Sequence, residues 1–154
     1  MELKRIASFQ VNHNILERGI YISRIDGDIT TYDIRMKLPN KNDYLEPAAM
    51  HTIEHIVATF TRNSKYSENI IYFGPMGCRT GFYLLTRSIP DIEAISLIYD
   101  AFSFMADFEG EIPGTTAIEC GNYLEHDLVA AKAEAKNYLP VIENYTVEQL
   151  AYKK

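Results

Sequence analysis

The sequence predicts an α+β fold, an antiparallel sheet packed against helices in a single layered domain spanning residues 1–154. Strand-like runs gather in the first half of the chain, before Leu85, while helical periodicity follows Glu46-Pro47, Pro90 and Asp127. Gly, Pro, Asn or Asp punctuates each junction, and no internal repeat or linker-like tract divides the chain. A length of 154 residues suits one domain with a sizeable buried core.

The elements follow in order. Asp26-Gly27 lies between two β-rich runs, a hairpin signal because glycine takes positive φ at no steric cost. In the second arm Tyr32, Ile34 and Met36 share one face and Asp33 and Arg35 the other, the period of a half-buried strand with its polar side toward solvent. Leu38-Pro39-Asn40 ends that strand. Pro47 suits the first turn of a helix, where its missing N–H costs nothing. That helix runs to about Arg62, with Ile53, Ile56, Val57 and Phe60 inward. A second β pair, Asn69–Phe73 and Gly81–Leu85, is joined by G-P-M-G-C-R-T, which places Cys78 in a glycine-flanked turn. Pro90 opens a long amphipathic helix through Ile92, Ile95, Ile98, Phe102 and Met105, closed by the loop at Glu111-Ile112-Pro113-Gly114. Cys120 follows that loop, and Asp127 starts a last helix rich in Ala and Lys.

A net charge of −6 argues against nucleic acid or an anionic membrane surface as partner, since like charges repel. The start of the chain lacks a signal-peptide h-region, and nowhere do about 18 apolar residues run together as a membrane span requires. The expected compartment is the cytoplasm. In that reducing setting the two cysteines, Cys78 and Cys120, are free thiols, ligands or nucleophiles rather than a disulfide.

The stretch His51-Thr52-Ile53-Glu54-His55 carries the clearest chemistry. On a helix, residues four apart stack on one face, so His51 and His55 present two imidazoles to one point, a metal half-site. Glu54 lies close to the same face, where a carboxylate can move a proton for whatever the ion activates. By itself such a pair is also compatible with solvated surface histidines. A catalytic zinc or iron needs a third protein ligand and an open position, and Cys78, Cys120 and His126 are all of suitable type. The residues alone do not choose among them, although His126 is most simply read as a helix-start residue outside the site. Cys78, with Arg79 beside it and Gly77 and Gly81 opening the backbone to substrate, suits a nucleophile or base. Ser8, His13, Arg35 and Arg62 carry no distinguishing chemistry of their own.

With these residues assembled, the chain resembles the S-ribosylhomocysteine lyase (LuxS) family over essentially its full length. The likeness rests on S-F-Q-V-N-H at Ser8–His13, D-I-R-M-K-L-P-N-K at Asp33–Lys41, H-T-I-E-H at His51–His55, G-P-M-G-C-R-T-G-F-Y at Gly74–Tyr83 and C-G-N-Y-L-E-H-D-L at Cys120–Leu128. The resemblance implies His51, His55 and Cys120 as ligands of one divalent ion, Fe(II) or Zn(II). It implies Cys78 as catalytic thiol and Glu54 as second acid/base. Ser8, His13 and Arg35 then line the ribose pocket and Arg62 meets the homocysteine carboxylate. It also implies a homodimer with active sites at the subunit boundary. Three departures stand out: Tyr72 occupies a position usually acidic, Gly74-Pro75 replaces the commoner Ser-Pro, and the stretch Arg62 to Asn69 is a few residues short.

The implied reaction cleaves S-ribosylhomocysteine to homocysteine and 4,5-dihydroxy-2,3-pentanedione, the autoinducer-2 precursor, with no redox cofactor. The carbonyl moves from C1 to C2 and then C3 through enediolates whose oxygens a divalent ion stabilises. A base then removes the C4 proton and homocysteine leaves from C5. The competing readings are an H-x-x-E-H zinc metallopeptidase, with a downstream glutamate as third ligand, and a non-catalytic metal-binding homologue.

Overall fold

The hairpin expected at Asp26-Gly27 forms β1 (Gly19–Asp26) and β2 (Ile29–Arg35), with Gly27 at φ 62° in the turn. Throughout, the protein is described from a computed structural model covering residues 1–154. The second pair is β3 (Ile70–Pro75) and β4 (Gly81–Arg87), and the four strands form one antiparallel sheet in the order β1-β2-β4-β3. Gly81 pairs with Arg35, and a Cβ there would overlap the Ile34 carbonyl. That glycine therefore serves the close approach of β4 to β2, not substrate access as its sequence position suggested.

Four helices accompany the sheet: α1 (Ala7–Gln10), a single turn near the N-terminus, α2 (Pro47–Arg62), α3 (Asp91–Ala106) and α4 (Leu128–Ile142). The proline expected to open α2 sits at its first position. Asp127 caps α4, its carboxylate accepting a 2.9 Å bond from the Ala130 amide. α2 packs against β3 and against α3 and α4. Tyr32, Ile34, Phe82 and Leu84 from the sheet meet Ile53, Ile98, Phe102 and Tyr138 from the helices in a continuous core. The helical periods hold with two corrections: Phe60 is only partly buried, and Ile92, in the first turn of α3, is exposed beyond the reach of the core.

The larger correction concerns the polar side of β2. Asp33 and Arg35, expected at the surface, are 1% and 3% exposed. Tyr21 on β1 and Tyr152 near the C-terminus stack at 4.8 Å over this face, and Tyr152 donates a 2.6 Å hydrogen bond to Asp33. Arg35 grips the same carboxylate through Nε at 3.1 Å and Nη2 at 2.7 Å. Burial opposes the Arg35 charge, but Asp33 outweighs it and raises the guanidinium pKa, so Arg35 keeps its charge and is paired as a buried charge must be.

Candidate metal centre and active site

The long segment between α3 and α4 folds back over α2 and builds the centre with it. His51 and His55, one turn apart on α2, each place Nδ1 against a carbonyl of that segment, Glu125 O at 2.8 Å and Pro113 O at 2.8 Å. A carbonyl only accepts, so each Nδ1 carries the hydrogen and each Nε2 keeps its lone pair for a ligand. Gly114, at φ 73°, lets the loop pass His55, since a Cβ there would stand 3.2 Å from Nδ1. The loop then delivers Cys120 with Sγ 3.4 Å from His51 Nε2 and 3.8 Å from His55 Nε2. Nitrogen and sulfur ligands of a tetrahedral ion at ordinary bond lengths stand about 3.6 Å apart. The donor set therefore fits a zinc- or iron-type ion, and the Asn122 amide, 3.5 Å from Sγ, suits a thiolate there.

His126, placed outside the site by the sequence reading, belongs beside it. A ring nitrogen of His126, one each of His51 and His55, and Cys120 Sγ all lie within 4.8 Å of one another. Its ring stacks on that of His51 at 4.0 Å. Burial, and then the neighbouring imidazoles His51 and His55, push its pKa down to about 4, so it stays neutral near pH 7. A helix-start histidine gives no sign in sequence of being carried back to α2; the link is Thr52, hidden inside the motif, whose hydroxyl contacts both His126 Nδ1 and the Asp127 amide at 3.0 Å.

Beside the centre lies a cleft of about 290 Å³ walled by Glu54, His55, Arg62, Tyr72 and Pro113. Arg62 also donates to the Ile71 carbonyl at 2.9 Å. The Tyr72 phenol lies over Gly74, where any Cβ would overlap it. The glycine thus makes room for the ring.

Cys78 is exposed in the β3–β4 turn. The turn is pinned by the Thr80 carbonyl, which accepts from the Met36 and Lys37 amides at 2.9 Å each. Arg79, expected to lend its charge to the thiol, adopts φ 62° and turns its guanidinium toward the Tyr44 ring, 5.7 Å away. The cation that serves Cys78 is Arg35, acting through Thr80. Arg35 Nη1 donates to Thr80 Oγ1 at 2.8 Å, and that hydroxyl stands 3.0 Å from Cys78 Sγ. Having accepted from Arg35, it keeps its own proton to offer the sulfur.

Ser8 and His13 do not join these groups within one chain. Ser8 lines a separate cleft with Ser23, Arg24, Tyr72 and Tyr83 on the open side of the sheet, and His13 Nδ1 contacts the Val11 carbonyl at 2.8 Å.

Two imidazoles on a helix and a sulfur on the facing loop, at tetrahedral spacing above an antiparallel sheet with an ionisable cleft alongside, define an α+β protein with a candidate metal centre. The chain belongs to the S-ribosylhomocysteinase (LuxS) family, whose model matches residues 6–148. It is 46% identical to the S-ribosylhomocysteine lyase of Clostridium acetobutylicum, over 97% of this chain and 99% of that protein. It is 48% identical to the enzyme of the same name from Phocaeicola vulgatus, over 97% and 98%, and 47% identical to that of Borreliella burgdorferi, over 97% and 99%. No helix is long and apolar enough to cross a membrane.

Proposed function

We propose that the protein cleaves S-ribosylhomocysteine to homocysteine and 4,5-dihydroxy-2,3-pentanedione. The observation that carries this reading is the convergence of Cys120 Sγ on the Nε2 atoms of His51 and His55 at 3.4 and 3.8 Å. A metallopeptidase of the H-x-x-E-H type would place a glutamate third, and the group that joins the histidines here is sulfur. His51, His55 and Cys120 would hold one divalent ion, Fe(II) or Zn(II), which would supply positive charge for the oxygens of the sugar.

The remaining work falls to the chain's own side chains. Cys78, held by Thr80, and Glu54, on the turn of α2 that carries the ligands, exchange protons with the sugar carbons. Cys78 or Glu54 removes the C4 proton, the electron pair forms the C4–C5 double bond, and the C5–S bond breaks to release homocysteine. The departing sulfur takes up the proton that came from C4, and the enol left behind gains a proton at C5 while its hydroxyl gives one up, which yields the dione, so atoms balance with no outside oxidant or water. Arg62 at the cleft mouth suits the substrate carboxylate. Arg35, Ser8 and His13 serve the ribose end, the last two reaching it from a second copy of the chain. Exposed Ile6 and Phe9 beside Ser8 support such a homodimer. Residues 1–154 act as one unit, supported by the continuous core, and the working compartment is the cytoplasm.

Anaerobic incubation with S-ribosylhomocysteine while titrating free thiol tests the activity; no thiol release from metal-loaded protein rejects it. Cys78→Ala should keep one ion per chain and its fold yet lose about 10² to 10⁴ in turnover. His51→Ala should lose ion and activity together, as metal analysis will show.

A further inference from the structure

His126 is half-buried beside the triad with half of its hydrogen-bonding capacity accounted for, and the accounting fixes its tautomer. Thr52 Oγ1 donates its single proton to the Ala48 carbonyl, 3.1 Å back along α2. Toward the Asp127 amide and His126 Nδ1, each at 3.0 Å, the same oxygen can then only accept. His126 Nδ1 therefore carries the hydrogen, and Nε2 is a lone pair. That atom is buried and has no partner. A buried acceptor left unpaired is costly, and such atoms concentrate where a ligand completes them.

The ion held by the triad is not that partner. A ligating imidazole bonds along its lone pair, in the plane of its ring. His126 and His51 stack face to face at 4.0 Å with planes only 23° apart, whereas His55 stands at 89° to His51. Planes so nearly parallel do not meet within a coordination bond's length, so an ion in the His51 plane lies off the line of the His126 lone pair. His51 and His55, near perpendicular, do converge.

We propose that His126 Nε2 accepts a hydrogen bond from a hydroxyl of the open-chain sugar next to the oxygen that faces the ion, which makes it a substrate-positioning residue. This rests on the lyase reading of the site. Vicinal hydroxyls suit the arrangement: one oxygen turns to the ion while its neighbour, on the adjacent carbon, donates to His126. A neutral imidazole with a fixed Nδ1–H reads a donor hydroxyl there and rejects a carbonyl or ether oxygen, which would leave two lone pairs opposed.

The test uses Co(II)-loaded protein, whose visible bands report both the coordination sphere and ligand entry. The probe is S-ribitylhomocysteine, the reduced open-chain polyol, which has no carbonyl to migrate. His126→Phe keeps the ring stack on His51 without any nitrogen, and His126→Gln restores an acceptor oxygen near the Nε2 position. Both variants should take up cobalt with the wild-type stoichiometry and ligand-free spectrum. His126→Phe should weaken polyol binding about threefold to tenfold, as loss of one neutral hydrogen bond does, with His126→Gln within about twofold of wild type. An altered ligand-free spectrum or lost cobalt in His126→Gln overturns the proposal, because His126 would then serve the ion or the fold. Equal affinity in all three proteins, or equal weakening in both variants, overturns it as well. A wild-type protein that loads cobalt but neither binds the polyol nor releases thiol from S-ribosylhomocysteine rejects the lyase reading itself, an outcome distinct from any that sets the variants apart.

Discussion

Thr80 shows how much one hydroxyl organises in this fold. It is 2% exposed, accepts from Arg35 and touches Cys78, so the Cys78 thiol is wired to a buried ion pair rather than to the arginine next to it in sequence. Thr80→Val keeps the shape and removes the oxygen, leaving a buried guanidinium hydrogen without an acceptor. That should cost about 1–3 kcal/mol in urea unfolding and lower turnover by disordering Cys78, while Thr80→Ser retains both. A Val variant as stable and active as the parent would show that the link carries nothing. The cysteine was legible from its glycine-rich turn, but its true cation was not, because Arg79 and Arg35 differ in conformation and burial and not in residue type.

At the scale of elements, α2 supplies the helical half of the centre and the segment after α3 the irregular half. The helix was readable to within a residue at its start, and the i, i+4 histidines followed from its period. The partner loop has no period, so the choice among Cys78, Cys120 and His126 as third donor could not be made from residue chemistry and waited on the resemblance and then on the folded loop. Gly114 is where loop and helix meet. Gly114→Ala puts a Cβ into a left-handed backbone position and against His55, and should cost about 1–2 kcal/mol of stability. Chelator competition should show a looser ion in the same variant, since His55 must shift off the Pro113 carbonyl that orients it. Unchanged metal affinity would mean that the carbonyl does not set the ring.

Across the whole molecule, buried tyrosines tie the C-terminal segment to the sheet. Tyr138 donates to the Gly19 carbonyl, Tyr145 to that of Ile20 and Tyr152 to Asp33. Burial raises the pKa of all three and pushes Tyr21, next to charged Glu17 and Asp33, up to about 12. Unfolded phenols titrate near 10, so above that pH the unfolded chain binds fewer protons than the folded one and stability falls as pH rises. The stabilisation is complete below about pH 10 and, for Tyr21, is lost as pH climbs through about 12. Thermal midpoints should drop steeply over that window, and less steeply in Tyr152→Phe; a flat profile would contradict the burial of these rings.

The sequence by itself determined the α+β class, the element order, the two-histidine half-site and, through five ordered motifs, the family, because periodicity, turn chemistry and motif spacing are local properties of the chain. Only the tertiary structure decided that Asp33 and Arg35 lie inside, that Thr80 joins Arg35 to Cys78, that the Tyr72 ring packs over Gly74, and that His126 stands beside the His51, His55 and Cys120 cluster. Each of these depends on which segment covers which face, and coverage is settled by packing between residues such as Asp33 and Tyr152, 119 positions apart, where no local pattern reaches.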